Sequence, residues 1–403
     1  MPELSSQLHT LLVCILLGAS LLPVVWLLAF YCPRVASVTK AVRRQASAIS
    51  SGEESDSPSE LPGVSVIVYS AGEASSLERL LPTILEQEYP GPIEIIVVND
   101  GRNEAVKDVV TLLRNRHRNL HLTFTPEESR NLSRKKLSLT LGIKAARYDN
   151  VVLTEERAQL PGKLWLRHIT GPLVASPDTQ IVIGYSTPLY ENDSERGARY
   201  RSFDHAAEGV TYLSSALRGH PWRGTSFNLA YRKDLFFRNK GFGHSLNLQT
   251  GDDDIFISEV ATGHNCATVL LPESQVIVTT GKPRHRHRNE RTLRAFSAQR
   301  IASRPRLFFG TSSTMMWLWV VLSAMAIAIG WPHWWPMAAV GVSGCILWIP
   351  VLLTWHSALR SLQAHPLLLT IPGMLLRRRL TNMRYRRIAH LHRQQNYTWS
   401  APV

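Results

Sequence analysis

Two stretches of the chain contain no Asp, Glu, Lys or Arg, and both are long enough to cross a membrane. The first runs from Ser5 to Pro33, and its apolar core at Thr10–Tyr31 matches one helix across a ~30 Å hydrocarbon layer. A cleaved signal peptide would start with positive charge and have a shorter apolar run, whereas the only early charge here is Glu3. The second stretch, Leu307–Leu359, is too long for one crossing and suits two.

The second stretch is divided by the sequence Trp-Pro-His-Trp-Trp-Pro at 331–336. Prolines interrupt helical hydrogen bonding and tryptophans favour the membrane interface, so we expect a tight turn between spans near Ser313–Gly330 and Met337–Trp355. Cations follow the first span and flank the hairpin on both sides. The positive-inside rule then predicts a multi-pass membrane protein with its N-terminus outside and its globular part in the cytoplasm.

Strand and helix patterns alternate between the spans. Continuous β-branched apolar runs predict buried strands at Val64–Tyr69, Ile93–Val98 and Val151–Thr154. Apolar residues at helical spacing predict helices at Leu77–Glu88, Glu104–Leu113 and Leu137–Ala146. Such an alternation indicates an α/β fold, a mostly parallel sheet with helices on both faces. Ligands bind at the carboxyl edge of these sheets, and the polar residues that fall there are Ser70, Glu73, Asp100 and 155–157.

These patterns divide the chain into five parts. They are a transmembrane anchor at 1–33, a cytoplasmic linker at 34–62, a globular domain at 63–306, a transmembrane hairpin at 307–359 and a basic tail at 360–403. The net charge is +14, and its excess lies mainly in 281–310 and in the tail. Arginines interleave with apolar residues at 376–393, which favours an amphipathic helix on anionic membrane lipids over a solvated charged face. Because the middle of the chain is net acidic, no nucleic acid partner is expected.

Three consecutive acids follow Gly251, namely Asp252, Asp253 and Asp254, and the apolar run 255–257 comes next. Like charges this close raise at least one carboxyl pKa, which suits a proton acceptor near neutral pH. Two other interpretations of these three acids are possible from the sequence. The acids could cap a helix N-terminus, or form an incidental calcium-like cluster.

The motifs of the globular part resemble those of a known family. In chain order they read VSVIVYSAGEASSLERLLPTILEQEYP, IEIIVVNDG, LSRKKLSLTLGIKAARYDNVVLTEER, FNLAYRKDLFF, GDDDIFI and PESQ. This series is similar to the membrane-anchored family-2 glycosyltransferases with a GT-A (Rossmann-like) fold, from about Val64 to Arg306, and most of all to members from Bacteroidota. The resemblance implies an inverting hexosyltransferase that uses a nucleotide-sugar donor at the inner leaflet.

The resemblance also implies roles for single residues. Asp253 would be the general base, with Asp252 beside it. Asp100 would contact the donor's base, although an Asn-Asp-Gly turn explains the same letters. Lys135 and Lys136 would face the diphosphate, or they could simply start a helix. The remaining implied contacts are Ser70, Glu73, Glu155 and Arg157 for the donor, and Asp254, Asn228, Gln299 and Arg300 for the acceptor.

The chain departs from the family at its metal motif. The family's DxD acids hold a divalent cation, whereas the matching residues here are Glu155, Glu156 and Arg157. A hard cation needs several oxygen ligands, and arginine has none to offer. Three alternatives follow: Arg157 supplies a fixed positive charge without metal, Glu155 and Glu156 still hold Mg or Mn, or the domain is a pseudo-glycosyltransferase that binds or scaffolds.

A second departure concerns the acceptor. Processive polysaccharide synthases of the family carry a QRxRW motif, of which only Gln299 and Arg300 remain here. One span before the domain and two after it also leave no bundle large enough for a polymer channel. We therefore expect addition of a single sugar to a lipid-linked or membrane-near glycan acceptor of the cell envelope, with processive synthesis as the alternative.

Overall fold

The computed structural model describes residues 2–51, 61–126, 132–189, 197–279, 283–301, 304–364 and 368–391. Its first element is a long helix in three parts: α1 at Pro2–Trp26, one π-helical turn at Leu27–Tyr31, and α2 at Cys32–Ser50. At 1.5 Å per residue this helix is roughly 70 Å long, more than twice a membrane's hydrocarbon layer.

The segment predicted as a linker at 34–62 is therefore helical as far as Ser50. The buried residues Val35, Val38 and Val42 recur every three or four positions, which is the spacing of one helix face. Our interpretation gave weight to the Ser- and Pro-rich composition and missed this spacing. Most of the remaining linker, 52–60, lies outside the described residues.

In the described part of the chain, ten strands form two sheets. In chain order they are β1 Val64–Ser70, β2 Ile93–Asp100, β3 Leu120–Thr125, β4 Asn150–Glu155, β5 Ala158–Gln159, β6 Ile181–Ile183, β7 Ser186–Leu189, β8 Leu229–Arg232, β9 Cys266–Thr268 and β10 Val276–Thr279. The large sheet has the order β3-β2-β1-β4-β8-β6-β9, and the small one β5-β10-β7. Only β8 runs antiparallel to its neighbours in the large sheet, so the predicted mostly parallel sheet is confirmed.

Helices cover both faces of the large sheet. The other helices are α3 Ala74–Leu85, α4 Glu104–Arg114, α5 Arg134–Ala145, α6 Trp165–Ala175, α7 Ala198–Ala216, α8 Lys233–Arg238, α9 Ile255–Val260, α10 Pro283–Ser297, α11 Arg304–Gly330, α12 Trp335–Ser361 and α13 Ile371–Leu391. Buried residues of α3, α4 and α6 pack on one face, and α5 packs on the other. A Cβ at Gly142 of α5 would lie 2.6 Å from Ile67 and 2.8 Å from Val98, so glycine lets this helix approach the sheet.

Among the residues that the structure describes, three helical segments are long and apolar enough to cross a membrane: Gln7–Ser50, Arg304–Gly330 and Trp335–Ser361. The last two are the predicted hairpin, with ends that extend beyond the predicted spans. α1 packs against α11, and α2 against α12. Their crossing of a membrane and their orientation stay predictions.

The helical bundle is attached to the sheet by side-chain amides. Gln45 of α2 donates from Nε2 to the Thr268 carbonyl at 2.7 Å and accepts from the Leu270 amide at 2.8 Å. On the other side, Gln275 donates to the Ser361 carbonyl at 2.8 Å. A buried apolar cluster also continues from the sheet into α2, α7 and α12. The sheet and the bundle are therefore packed as one unit.

Candidate active site

The carboxyl ends of three neighbouring strands bring the first candidate residues together. In the register of the sheet, Tyr69 of β1 lies opposite Glu155 of β4, and Ser70 lies opposite Asn99 of β2. Because β1 separates β2 from β4, Asp100 and Glu155 are at the same edge, one strand apart on either side of Tyr69. A cavity of about 230 Å³ opens on the β4 side of this edge.

The cavity lies between the strand ends, α7 and α10. Its charged and titratable lining residues are Lys135, Glu155, His205, Glu208, Tyr212, Arg223, Asp252, Asp253, Asp254, His287, Glu290 and Arg294. They come from regions of the chain more than 150 residues apart. Of the residues that the sequence suggested for the site, Lys135, Glu155 and Asp252–Asp254 line this one cavity.

Lys135 stands between two of the acids. Its Nζ is 2.7 Å from Glu155 Oε1 and 2.7 Å from Asp252 Oδ2, and it also donates to Ser226 Oγ at 2.9 Å. Burial alone would lower the pKa of Lys135, but Asp252 and Glu155 outweigh it and raise that pKa well above its usual value. The ammonium thus stays charged between the two carboxylates.

Lys136 has a different place from Lys135. It is fully buried and donates to the carbonyl oxygens of Ser245, at 2.5 Å, and Thr250, at 2.6 Å. Burial lowers the pKa of Lys136 to about 8. The interpretation that it faces the diphosphate is therefore wrong, since its donors hold the loop before the acidic turn.

The acidic turn depends on Gly251, whose φ of +110° favours glycine. A Cβ there would also lie 2.7 Å from the Ile255 side chain. The turn directs Asp252 and Asp253 into the cavity while Asp254 caps α9, accepting from the Ile255 amide at 2.7 Å. The other oxygen of Asp254 accepts from Ser297 of α10. The helix-cap interpretation therefore fits Asp254 better than acceptor binding.

The pKa values of Asp252 and Asp253 are shifted in opposite directions. Burial first, and then the charge of Asp252, raise the pKa of Asp253 to about 7, against the opposing effect of Arg223. Burial would also raise the pKa of Asp252, but Lys135 holds it below its usual value. Asp253 is therefore the acid of this pair that can exchange a proton near neutral pH.

Asp100 lies next to the cavity without lining it. Its carboxylate accepts from Tyr69 Oη at 2.9 Å and from Arg134 Nε at 2.7 Å. The Tyr69 ring separates it from Lys135, whose Nζ is 6.0 Å from the ring centre. Asp100 is thus held at the sheet edge, and its contact with the donor's base stays a prediction.

The other predicted donor and metal residues are engaged with one another. Glu156 is buried, and one of its carboxylate oxygens accepts from Ser70 Oγ at 2.6 Å and from the Glu73 amide at 2.9 Å. Arg157 forms an ion pair with Glu73, and both side chains are about 40% exposed. Glu156 therefore locks β4 to the loop after β1, and Arg157 lies at the rim, outside the cavity.

This arrangement does not fit the predicted metal site. In the part of the chain that the structure describes, no group of three or more His, Cys, Asp or Glu side chains is placed to hold a metal ion. Glu156 is turned away from the cavity, and the ammonium of Lys135 occupies the space between Glu155 and Asp252. A divalent cation at that position would have to displace Lys135.

Three predicted acceptor contacts are elsewhere. Asn228 is fully buried, where it accepts from Trp165 Nε1 at 3.0 Å and donates to the carbonyl of Ser274 at 2.7 Å. Gln299 and Arg300 are exposed in the turn after α10, outside the cavity. The acceptor role is therefore wrong for Asn228 and unsupported for the other two, because matching letters say nothing about burial or direction.

Sequence reasoning missed the wall that α7 contributes. His205, Glu208 and Tyr212 line the cavity, and their spacing of three and four positions, which places them on one helix face, was the available signal. Burial and then Arg294 lower the pKa of His205 to about 4, so its ring is neutral. Burial would raise the pKa of Glu208, but Arg378 and Arg223 lower it to about 2.

α13 is the predicted basic helix, and one of its faces is not available to lipid. Arg378 donates to Asp204 Oδ1 at 3.0 Å and to Glu208 Oε2 at 2.5 Å. These two acids of α7 thus hold the tail helix against the domain, through an arginine that is only 13% exposed. The expectation that this helix lies wholly on headgroups is wrong for this face.

Comparison with known proteins supports a sugar-transferring enzyme. Residues 65–207 match the family model described as glycosyl transferase family 2, about a third of the chain. The match includes the strands that end in Asp100 and Glu155. The match supports a glycosyltransferase, and it covers the first part of the α/β domain.

The chain is also similar to solved structures. One is the mannosyltransferase PcManGT from Pyrobaculum calidifontis in complex with GDP-Man and Mn²⁺, at 18% identity and a TM-score of 0.49, covering 87% of this chain and 99% of that one. Another is glucosyl-3-phosphoglycerate synthase from Mycobacterium tuberculosis with Mn²⁺ and UDP-glucose, at 14% identity and a TM-score of 0.41, covering 60% and 80%. No curated protein matches the chain.

Proposed function

We propose that this protein transfers one hexosyl group, with inversion, from a nucleotide sugar to an acceptor at the cytoplasmic face of the membrane. The observation that carries the proposal is Asp253, a carboxyl group with a pKa of about 7 that lines the cavity at the carboxyl edge of the sheet. A general base works best when its pKa is close to the working pH.

The reaction is a single displacement. The acceptor hydroxyl oxygen attacks the anomeric carbon of the donor, and the hydroxyl proton passes to the carboxylate of Asp253. The bond from the anomeric carbon to the diphosphate oxygen breaks, and its electron pair leaves with the nucleoside diphosphate. Attack on the face opposite the leaving group inverts the configuration of that carbon.

The leaving diphosphate needs positive charge, and we assign this role to Lys135. Its ammonium is held 2.7 Å from both Glu155 and Asp252, and the two acids keep it protonated. Arg157, the earlier candidate, is paired with Glu73 at the rim. We therefore infer that the altered motif at 155–157 belongs to an enzyme that works without Mg or Mn.

The acceptor would approach from the side of the candidate spans. α10 lines the first cavity on this side, and together with α11 and α13 it carries many of the chain's arginines. With three candidate spans in the described residues, one sugar added per encounter fits better than polymer synthesis and export. The similarity to Bacteroidota members remains part of this proposal.

The test is hydrolysis or transfer with a panel of UDP- and GDP-sugars, using the full chain purified in detergent. Asp253→Asn should lower the rate by roughly 10²–10⁴-fold, the range for losing a general base, while a thermal shift shows that the donor still binds. Asp108→Asn, an exposed acid on α4, is the matched control. An unchanged rate in Asp253→Asn excludes it as the base, and the absence of any donor-induced shift favours the pseudo-enzyme.

A further inference from the structure

A second cavity of about 120 Å³ lies between α7, α10, α11 and α13. It shares two lining residues, Glu208 and Arg294, with the first cavity. Among the described residues, six arginines and one acid, Glu208, line it; the arginines are Arg291, Arg294, Arg306, Arg378, Arg379 and Arg386. Five of these arginines are buried or half-buried, and such an excess of positive charge is costly unless an anion balances it.

Half of these arginines are balanced by the protein. Arg378 pairs with Asp204 and Glu208 of α7, Arg291 pairs with Asp204, and Arg294 pairs with Glu290. These contacts account for the acids near the cavity. Asp204, Glu208 and Glu290 are thus already paired with arginines.

The other half have no acidic partner among the described residues. Arg306 donates to the Ala298 carbonyl at 2.7 Å, Arg379 is 3.4 Å from the Gly310 carbonyl, and Arg386 is exposed at the cavity edge. Burial lowers the pKa of Arg306 against the opposing effects of Glu208 and Asp254, and the charge of Arg386 adds to the lowering. All three guanidinium groups line the cavity, and none of them forms an ion pair with an acid of the described residues.

The same cavity also has apolar and aromatic lining residues. They are Tyr31 at the end of the first candidate span, Phe309 and Met316 of α11, and Leu375 of α13. α11 is itself one of the helices able to cross a membrane. A ligand that fills the whole cavity would thus combine an anionic group with a hydrocarbon part.

We propose that this cavity binds the phosphate group of a lipid acceptor. Guanidinium groups hold phosphate through paired hydrogen bonds, which favours phosphate as the anion. The hydrocarbon part would lie toward α11, and the reactive hydroxyl would reach Asp253 past the shared residues Glu208 and Arg294. This assignment rests on the proposed function, since it names the acceptor class for the same site.

Binding of dodecyl phosphate to the full chain in a non-ionic detergent tests the assignment. Titration calorimetry should show saturable binding, whereas inorganic phosphate and dodecanol at equal concentration should bind at least about tenfold more weakly, because each lacks one half of the ligand. Arg386→Gln should weaken binding of dodecyl phosphate by roughly tenfold, and Arg306→Gln together with Arg386→Gln by more. Arg384→Gln, an exposed neighbour on α13 outside the cavity, should bind like the unmodified chain.

Two results would overturn the assignment. Inorganic phosphate that binds as tightly as dodecyl phosphate would show a site for free phosphate, and unchanged affinity in Arg386→Gln would place the ligand elsewhere. Because Arg386 is exposed, its substitution leaves the fold intact. A donor-induced thermal shift in the same variants separates the proposals: a kept shift with lost dodecyl phosphate binding supports this site, whereas a missing shift with normal dodecyl phosphate binding counts against the proposed function alone.

Discussion

Two charged clusters, one on each side of the first cavity, have opposite balances of acidic and basic side chains. The strand-end cluster consists of Lys135, Glu155, Asp252 and Asp253, so acids outnumber the lysine, although Arg223 lies near. The helix cluster consists of Asp204 and Glu208 of α7 with Arg291, Arg378 and Arg223, so cations outnumber acids.

The pKa values of Asp204 and Asp253, one acid from each cluster, are shifted in opposite directions. Burial alone would raise the pKa of Asp204, but Arg291, His287 and Arg378 hold it far below its usual value, while the pKa of Asp253 rises to about 7. Acids of the helix cluster are therefore charged at every working pH and serve structure. The strand-end cluster has one acid whose proton is exchangeable, and chemistry is expected there.

The largest effect is expected from removing the centre of the helix cluster. Asp204→Ala leaves Arg291 and Arg378 buried without their shared carboxylate, which should lower the free energy of unfolding by about 3–5 kcal/mol. Thermal and denaturant unfolding in detergent measure this loss. Asp108→Asn should stay within about 0.5 kcal/mol of the unmodified chain, and a similarly small loss for Asp204→Ala would contradict the comparison.

Next in size is the loss of the lysine at the strand-end cluster. Lys135→Met keeps the length of the side chain and removes its charge, so the transfer rate should fall by roughly 10²–10³-fold, as when one preorganised donor is removed from a transition state. Lys144→Met, exposed on the same helix, should leave the rate unchanged. EDTA should leave the unmodified enzyme active; activity that EDTA abolishes and Mn²⁺ restores would refute the assignment to Lys135.

The pH dependence of Asp253 sharpens the same comparison. As a base it must lose its proton, so the transfer rate should rise up to about pH 7 and then level off. Its raised folded-state pKa means that the native state binds the proton more tightly, so stability should fall as pH rises from ~4, the unfolded value, to about 7.

Asp253→Asn should remove this fall. The variant should gain up to a few kcal/mol over the unmodified chain at pH 8 and nothing at pH 4. Unfolding free energies at the two pH values give the measurement. If the difference in unfolding free energy between the two proteins is the same at both pH values, the pKa of Asp253 is not raised in the folded state.

The smallest effect is expected at the rim. Arg157→Gln breaks a half-exposed ion pair with Glu73, so stability should change by less than about 1 kcal/mol. The transfer rate should also stay within about fivefold of the unmodified enzyme, because Arg157 does not line the cavity. A fall in transfer rate as large as that expected for Lys135→Met would show that Arg157 supplies the positive charge for the leaving diphosphate.

The strand-end cluster was largely predictable from sequence, and the helix cluster was not. Buried strands are visible as apolar runs, and topology places their carboxyl ends together, so Glu155 and the acids 252–254 could be found. Glu208 and Arg378 are 170 residues apart, and no local pattern couples them. The assignment of Asn228 to the acceptor is wrong. A residue type in a motif does not show whether a side-chain amide is buried and donates to backbone carbonyls or is exposed to a substrate.

The attachment of α2 to β9 through Gln45 has a geometric consequence. One unbroken helix from Pro2 to Ser50 joins the first candidate span to the sheet, and Gln45 fixes the helix to that sheet by two backbone hydrogen bonds. If the first candidate span crosses a membrane as predicted, this attachment fixes the distance between the membrane surface and the first cavity. Under the proposed function, acceptors would then be selected by the distance of their reactive group from the bilayer, before any sugar is recognised.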